Sequence, residues 1–441
     1  MGSYIPNTDA DRQAMLKVIG IKSADELFDN VPKKVMLNKA LNLPQGMSEM
    51  GVASKMASLA GENKTYPVIF RGAGAYKHYI PAAVKRITSK ESFVTAYTPY
   101  QPEISQGILQ SIFEYQTLIC ELTGMDASNA SVYDGAAAAA EAMNMCRDRG
   151  KTNIYVSATA HPQVIETIET YCWGYGVPVT VIPAGADGKT DFAKLEAALG
   201  ADSGAAGFYL QSPNFYGLIE DTAKCAEIVH GAKALLVAGV NPTSLGLFES
   251  PGALGADIAV GEGQPLGLPI AFGGPYLGFM AAKNALMRKL PGRIAGETTD
   301  HDGRRAFVLT LQAREQHIRR EKASSNVCSN EAHCALTAAV YLAVLGEDGF
   351  AELAKQCHSK AVYAAQKIAA IPGYKRVHDG EFFHEFVTEC PNAEKTLKAL
   401  DKHGILGGLP LSEKRILWCV TECNSKEDID RLASILKEEA A

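Results

Sequence analysis

Between residues 152 and 282, short β-branched runs alternate with stretches whose apolar positions recur every three or four residues. The strand-like runs are Asn153–Ser157, Val177–Ile182, Ala206–Gln211, Ala234–Val237, Asp257–Val260 and Leu277–Ala282. Helical patterns fit between the first four, at Pro162–Tyr171, Phe192–Leu199 and Thr222–His230. This alternation predicts a parallel sheet with right-handed crossovers, in which ligands sit beyond the strand C-termini. Upstream, Met15, Val18, Ile19 and then Leu27, Phe28, Val31 follow helical spacing, broken by Pro32 and Pro44, and predict a helical lead-in. Beyond Lys322 a helical stretch, Glu331–Leu345, gives way to mixed α and β. There Ser425 and Asp428 form a capping-box pattern, and Ile429, Leu432 and Leu436 make one apolar face that packs on a small sheet containing Arg415–Val420. The expected organisation is a helical segment over 1–65, a large α/β domain over 66–322 and a small α+β domain over 323–441.

Composition changes this picture only by exclusion. With 47% apolar and 21% charged residues the chain has the balance of an ordinary packed protein. A net charge of −6 leaves no basic footprint for nucleic acid or an anionic membrane surface. The ten cysteines include no C-x-x-C pair, so neither a metal site nor a disulfide framework is read from them. With no signal-peptide pattern at the start, a reducing cytoplasm is the expected compartment. The longest apolar stretches, Ala136–Ala140 and Leu336–Leu345, fall short of the roughly 18 residues that a membrane span needs.

The candidate chemistry lies at the predicted strand ends. Gly72-Ala73-Gly74-Ala75-Tyr76 lacks the third glycine and the following acidic residue of a dinucleotide loop, and reads as a helix-packing turn. Ser131-Val132-Tyr133-Asp134-Gly135-Ala136 precedes the alanine-rich helix. It reads either as a phosphate loop or as an ordinary helix start capped by Asp134, whose charge would repel a dianion. His161 follows the first strand and is either a pocket residue or a core histidine. A pyridoxal-phosphate enzyme of the aspartate-aminotransferase type needs an Asp at one strand end, to hold the ring nitrogen protonated, and a Lys after a later strand, to anchor the coenzyme. Here Leu235-Leu236-Val237 runs into Ala238-Gly239-Val240-Asn241, with Ala238 in place of Asp. The turn Gly261-Glu262-Gly263-Gln264 has Gln264 in place of Lys, and no lysine occurs from Ala234 to Ala282. Lys283 follows the next strand and is expected to open a surface helix with Arg288 and Lys289.

Longer motifs carry a resemblance. Tyr97-Thr98-Pro99-Tyr100-Gln101-Pro102-Glu103-Ile104-Ser105-Gln106-Gly107, Leu122-Thr123-Gly124-Met125, Ala137-Ala138-Ala139-Ala140-Glu141-Ala142-Met143 and Leu311-Gln312-Ala313-Arg314-Glu315-Gln316-His317-Ile318-Arg319-Arg320-Glu321-Lys322-Ala323 closely resemble the amino-terminal half of the glycine cleavage P-protein family. The likeness runs from near residue 5 to the C-terminus. It implies the pyridoxal-phosphate-dependent transferase fold, a large, mostly parallel α/β domain plus a smaller α+β domain. It also implies a lysine-less subunit that binds no coenzyme covalently. Pyridoxal phosphate would sit on a partner, P-protein subunit 2, usually in a heterotetramer. The complex would decarboxylate glycine and pass the aminomethyl group to the lipoyl arm of H-protein. Under this resemblance Tyr97, Tyr100, Gln101, Glu103, Arg314 and His317 are candidates for the partner's active site or the interface. Ser131, Asp134, Gly135, His161, Asn241 and Gln264 would form a vestigial pocket. Two other readings stay open, a self-sufficient pyridoxal enzyme that uses a lysine such as Lys283, and a scaffold protein that kept only the fold. A Rossmann dehydrogenase lacks its glycine fingerprint.

Overall fold

The computed structural model describes residues 7–37, 39–95, 99, 101–323, 325–327 and 330–440. It divides into two compact units, Met1–Thr65 and Tyr66–Ala441. In the first, α1 (Asp9–Ile19) starts at a capping box between Thr8 and Asp11 and ends on Gly20, whose left-handed φ of 87° lets the chain turn away. α2 (Glu49–Gly61) follows, with Ser48 as its cap. Leu16 is the one buried residue among those described here, while Val18, Leu43 and Met50 are more than 70% exposed, at 88%, 72% and 82%.

The second unit opens with β1 (Val68–Ile69), α3 (Ala82–Thr88), α4 (Glu91–Val94) and α5 (Gln106–Thr123). The central stretch is β2 (Ala127–Ser128), α6 (Gly135–Cys146), β3 (Asn153–Ser157), α7 (Pro162–Tyr175), β4 (Val179–Ile182), α8 (Phe192–Gly200), β5 (Ala205–Gln211), α9 (Thr222–Gly231), β6 (Leu235–Gly239), β7 (Ile258–Glu262) and β8 (Gly278–Ala282). Its strands form one seven-stranded sheet in the order β2-β8-β7-β6-β5-β3-β4. Alternate side chains bury both faces: Phe208, Leu210, Leu236 and Ala259 enter one core, while Tyr209, Val237, Ile258 and Val260 enter the other. The alanines of α6 let that helix press onto the sheet, where Ala138, Ala139 and Ala142 are fully buried.

The sheet is mostly parallel, and it departs from the parallel reading of the 152–282 alternation at one strand. β8 runs antiparallel to both β7 and β2, whereas β7, β6, β5, β3 and β4 are parallel. Residues 263–277 contain no crossover helix, so the chain returns beside β7 in the opposite sense. β4 also begins two residues later than expected.

A hairpin of β9 (Ile294–Thr299) and β10 (Arg305–Thr310) leads to the short α10 (Gln316–Arg319) and then α11 (Ala332–Ala369), which is broken at Gly346 (φ 63°, ψ −176°). The four-stranded antiparallel sheet contains β11 (Lys375–Arg376), β12 (Glu385–Glu389), β14 (Leu409–Ser412) and β15 (Arg415–Cys419), with α12 (Ala393–Lys402), β13 (Ile405–Leu406) and α13 (Lys426–Ala440) around it. β13 pairs in parallel with β1. The expected capping box of α13 is present, since Ser425 N–H donates to Asp428 and Asp428 N–H donates to the Ser425 hydroxyl. A boundary after residue 322 gives all of α11 to the small domain. Its first half, through Cys334, Ala335, Ala338 and Tyr341, instead shares the core of the large sheet, and its second half, through Ala361, Ala364 and Ile368, packs with Phe386, Ile416 and Trp418. α11 is long and apolar enough to cross a bilayer by length and composition, a property the ten-residue apolar run alone did not reveal; half of its most apolar window is buried in these cores.

Candidate active-site cavity

A cavity of about 290 Å³ opens where the C-terminal ends of the parallel strands meet α6, and its walls include Ala73 to Tyr76, Asp134 to Ala136, His161, Tyr209, Gln211, Phe215, Gly239 to Asn241, Gly261, Glu262, Tyr276 and Glu385. No Lys or Arg stands among these described lining residues, but three carboxylates do, Asp134, Glu262 and Glu385.

Two of the carboxylates take the free N–H groups at the start of α6. Asp134 caps the helix by accepting from Ala137 N–H at 2.7 Å. Glu262 accepts from the N–H groups of Gly135 (2.9 Å), Gln264 (2.9 Å) and Leu277 (3.0 Å). Gly135 is required there, because a Cβ on it would lie 2.7 Å from the Glu262 nitrogen. Burial pushes the Glu262 carboxyl up to about 7, against the pull of its three backbone donors. A helix N-terminus that commonly receives a phosphate is thus filled by the chain's own acids. The residues present do not fit a phosphate-bearing coenzyme.

Gln264 lies behind the cavity wall, 1% exposed, with its amide used at both ends. Its Oε1 accepts from Tyr76 N–H at 2.8 Å, and its Nε2 donates to the carbonyls of Tyr76 (2.9 Å) and Leu268 (2.8 Å). It ties the turn after β7 to the loop around Tyr76. Ala238 points into the core that holds Leu236 and Ala259, and its neighbour Gly239 faces the cavity. The Tyr209 hydroxyl lies over Gly239, so any Cβ there would collide with it.

The loop through Ala73 forms the opposite wall and is not the helix-packing turn expected from its glycines. Ala73 N–H donates to Glu385 at 2.7 Å, the Tyr76 hydroxyl donates to the same carboxylate at 2.8 Å, and Ala73 O bonds His161 Nε2 at 2.9 Å. His161 Nδ1 accepts from Gln163 N–H at 3.2 Å, which assigns the ring proton to Nε2 and makes the imidazole neutral. Burial lowers its pKa in the same direction. Phe215 meets the His161 ring edge-on at 5.0 Å. Burial raises Glu385 to about 7. Asn241 is held by Thr243, which donates to its Oδ1 through N–H and hydroxyl, and by His384 at 3.1 Å.

Of the residues expected in a vestigial pocket, Asp134, Gly135, His161 and Asn241 therefore line it, and Gln264 braces its wall. Ser131 does not belong: it is fully buried, at φ 129°, and its hydroxyl accepts from Glu331 N–H at the start of α11. Lys283 is excluded as a coenzyme anchor. Its Nζ pairs with Asp257 Oδ1 at 3.1 Å beside the N-terminal end of β7, whereas the cavity meets the C-terminal end at Gly261 and Glu262. It caps a short 3-10 helix, Asn284–Lys289, which ends on Arg288 and Lys289 as expected. Glu262, Glu385, Tyr76 and Tyr209 were not anticipated. Glu262 carried a signal, an acid between two glycines in the turn under scrutiny. Glu385 carried none, since it arrives from the small sheet.

Among the interface candidates, Tyr97 and Tyr100 lie outside the described residues. Gln101 and Glu103 are exposed. Arg314 donates to Leu290 O, while its Nε and Nη2 are buried without a hydrogen-bond partner among the described residues, as is Oε1 of Glu315. His317 is half-exposed in α10 and lies 3.7 Å from Glu315. The charged run is therefore not one solvated helix face.

The seven-stranded sheet, its crossover helices and the small C-terminal sheet define the fold of type I pyridoxal-phosphate enzymes. Lactobacillus brevis glutamate decarboxylase superposes with a TM-score of 0.67 at 12% identity, covering 94% of this chain and 97% of that one, a likeness of fold alone. The family model for the glycine cleavage system P-protein matches residues 2–436, and the chain belongs to that family. It is 51% identical over 443 residues, 99% of both chains, to a protein of Moorella thermoacetica named probable glycine dehydrogenase (decarboxylating) subunit 1. A crystal structure of glycine decarboxylase (P-protein) of the glycine cleavage system, in inhibitor-bound form, superposes with a TM-score of 0.92 at 40% identity, covering 99% of this chain and all of that one.

Proposed function

We propose that this chain is the coenzyme-free subunit 1 of a two-chain glycine decarboxylase in the glycine cleavage system. A second subunit holds pyridoxal phosphate through its lysine, and the assembled enzyme, a dimer of such pairs in the cytoplasm, releases carbon dioxide from glycine. The aminomethyl group then passes to the lipoyl arm of H-protein. The observation that carries this reading is Gln264, an amide locked in three hydrogen bonds where an anchoring amine is needed. The acids on α6 support it from the phosphate side. The names of the relatives, subunit 1 of a glycine dehydrogenase, support a partner chain. Val18, Leu41, Leu43, Met50 and Met56 of the first unit are exposed apolar side chains that a partner surface could cover.

In this arrangement the chain contributes surface and position. Tyr97, Tyr100, Gln101 and Glu103 are its candidates for completing the partner's site, and Arg314 and His317 its candidates for the interface. Buried free thiols such as Cys146, Cys225 and Cys357 suit a reducing compartment. The test is co-expression with the second subunit, followed by glycine decarboxylation assays with lipoylated H-protein. Each chain alone is expected to be inactive and the mixture active. Turnover by this chain alone would reject the reading, and so would failure of the two chains to co-purify.

A further inference from the structure

Away from the cavity, three distant segments converge on one carboxylate. Glu422 lies in the turn between β15 and α13, His78 in the loop before α3, and Cys357 on the second half of α11. Glu422 Oε2 is 2.7 Å from His78 Nδ1 and accepts from the Cys357 thiol at 3.3 Å. Its Oε1 accepts from Tyr79 N–H at 2.6 Å and from the Cys423 thiol at 3.5 Å. One donor atom each from His78, Cys357 and Glu422 lies within 4.8 Å of the other two.

The donors facing one another are hydrogen-bonded, and one ring nitrogen beside the cluster is left over. The His78 side chain is 2% exposed, and its Nε2 has no hydrogen-bond partner among the described residues. Cys357 is fully buried.

An imidazole nitrogen, a thiolate and a carboxylate together are the donor set of a thiophilic divalent cation. Ligand distances of about 2.0–2.3 Å in a tetrahedral site place neighbouring donors roughly 3.3–3.6 Å apart. The sulfur-to-carboxylate spacing already meets this, and the His78 spacing must open slightly. One thiolate and one carboxylate balance a double positive charge, so the filled site is electrically neutral and can stay buried. We propose that His78, Cys357 and Glu422 form a binding site for a zinc-class divalent cation, with water in the fourth position. Binding exchanges the Cys357 S–H bond and the His78 Nδ1–H bond for bonds to the metal; the thiol proton is released to solvent, and the imidazole binds in its neutral form with its proton on Nε2. The ion would staple the loop before α3, α11 and the start of α13 together. It would also sit behind the cavity wall, because His384, whose carbonyl accepts from Val420 N–H two residues before Glu422, sets its ring against Tyr76 at 4.6 Å, tilted by 42°.

The test does not depend on the proposed enzyme assembly. Cobalt(II) is titrated into the purified full-length chain under anaerobic conditions with a non-thiol reductant. We expect saturation at one equivalent, with visible bands of tetrahedral cobalt and a near-ultraviolet sulfur-to-cobalt band, both bleached by zinc. Cys357→Ser should lose the sulfur band, and Cys357→Ser or His78→Gln should weaken binding by about a hundredfold or more, with an unchanged circular-dichroism spectrum. Cys423→Ser should keep the one-equivalent endpoint. Absence of saturable uptake by the unmodified chain overturns the proposal without any variant, and so does a folded Cys357→Ser chain that binds as tightly as its parent.

Discussion

The turn after β7 and the segment from Leu311 to Lys322 are both polar, yet they are finished to opposite degrees. In the turn, Glu262 and Gln264 spend their side chains on six hydrogen bonds within the chain. In the segment, Arg314 and Glu315 keep buried polar atoms without hydrogen bonds among the described residues. Buried polar groups are nearly always satisfied, so an unfinished set points to a molecule that completes it. The contrast separates two roles. On the proposed function, the turn serves the fold of this chain and the segment around Arg314 serves assembly.

Substitutions should divide along the same line. The largest effect is expected for Glu262→Ala, which leaves three backbone N–H groups unpaired; at about 1–3 kcal/mol each, unfolding in urea should show a loss of at least about 3 kcal/mol. Arg314→Ala should shift the stability of the isolated chain by less than about 1 kcal/mol, yet weaken association with subunit 2 by roughly tenfold or more, read by titration calorimetry. If it destabilises the lone chain as Glu262→Ala does, the contrast is broken. A third effect is in pH. Burial raises Glu141, Glu262 and Glu385 from 4.5 to about 7, so the folded chain holds more protons than the unfolded one between those values. The contribution of these three carboxyls to stability should therefore fall as pH rises from about 4.5 to 7, and the stability of Glu385→Gln relative to its parent should rise over that window. Asp134→Ala removes a helix cap and should cost about 1 kcal/mol. The smallest change is expected for Lys283→Met, whose ion pair is partly exposed: under about 1 kcal/mol, with unchanged turnover of the reconstituted enzyme.

Much of this was readable in the chain. The β-branched runs located the strands to within about two residues, because a strand buried on both faces leaves an apolar block bounded by turns. The direction of β8 was not readable, since it follows from a missing crossover helix rather than from any residue in the strand. Gln264 and Ala238 were legible as single positions at predicted strand ends where a coenzyme enzyme of this fold would need Lys and Asp; Gln264 braces the cavity wall, whereas Ala238 points into the core. Partners brought from distant segments were not legible. Glu385 reaches the cavity wall from a strand more than a hundred residues downstream of Gln264, and His78, Cys357 and Glu422 meet only because α11 and the small sheet fold back on the loop before α3. No local spacing encodes such meetings.

On the proposed function, this subunit cannot hold pyridoxal phosphate itself. The purified chain should be incubated with the coenzyme, reduced with borohydride and mapped by peptide mass spectrometry, with absorbance followed throughout. We expect only sparse labelling scattered over surface lysines and no stable absorbance band. Stoichiometric labelling of one lysine, with a persistent band before reduction, would contradict the account.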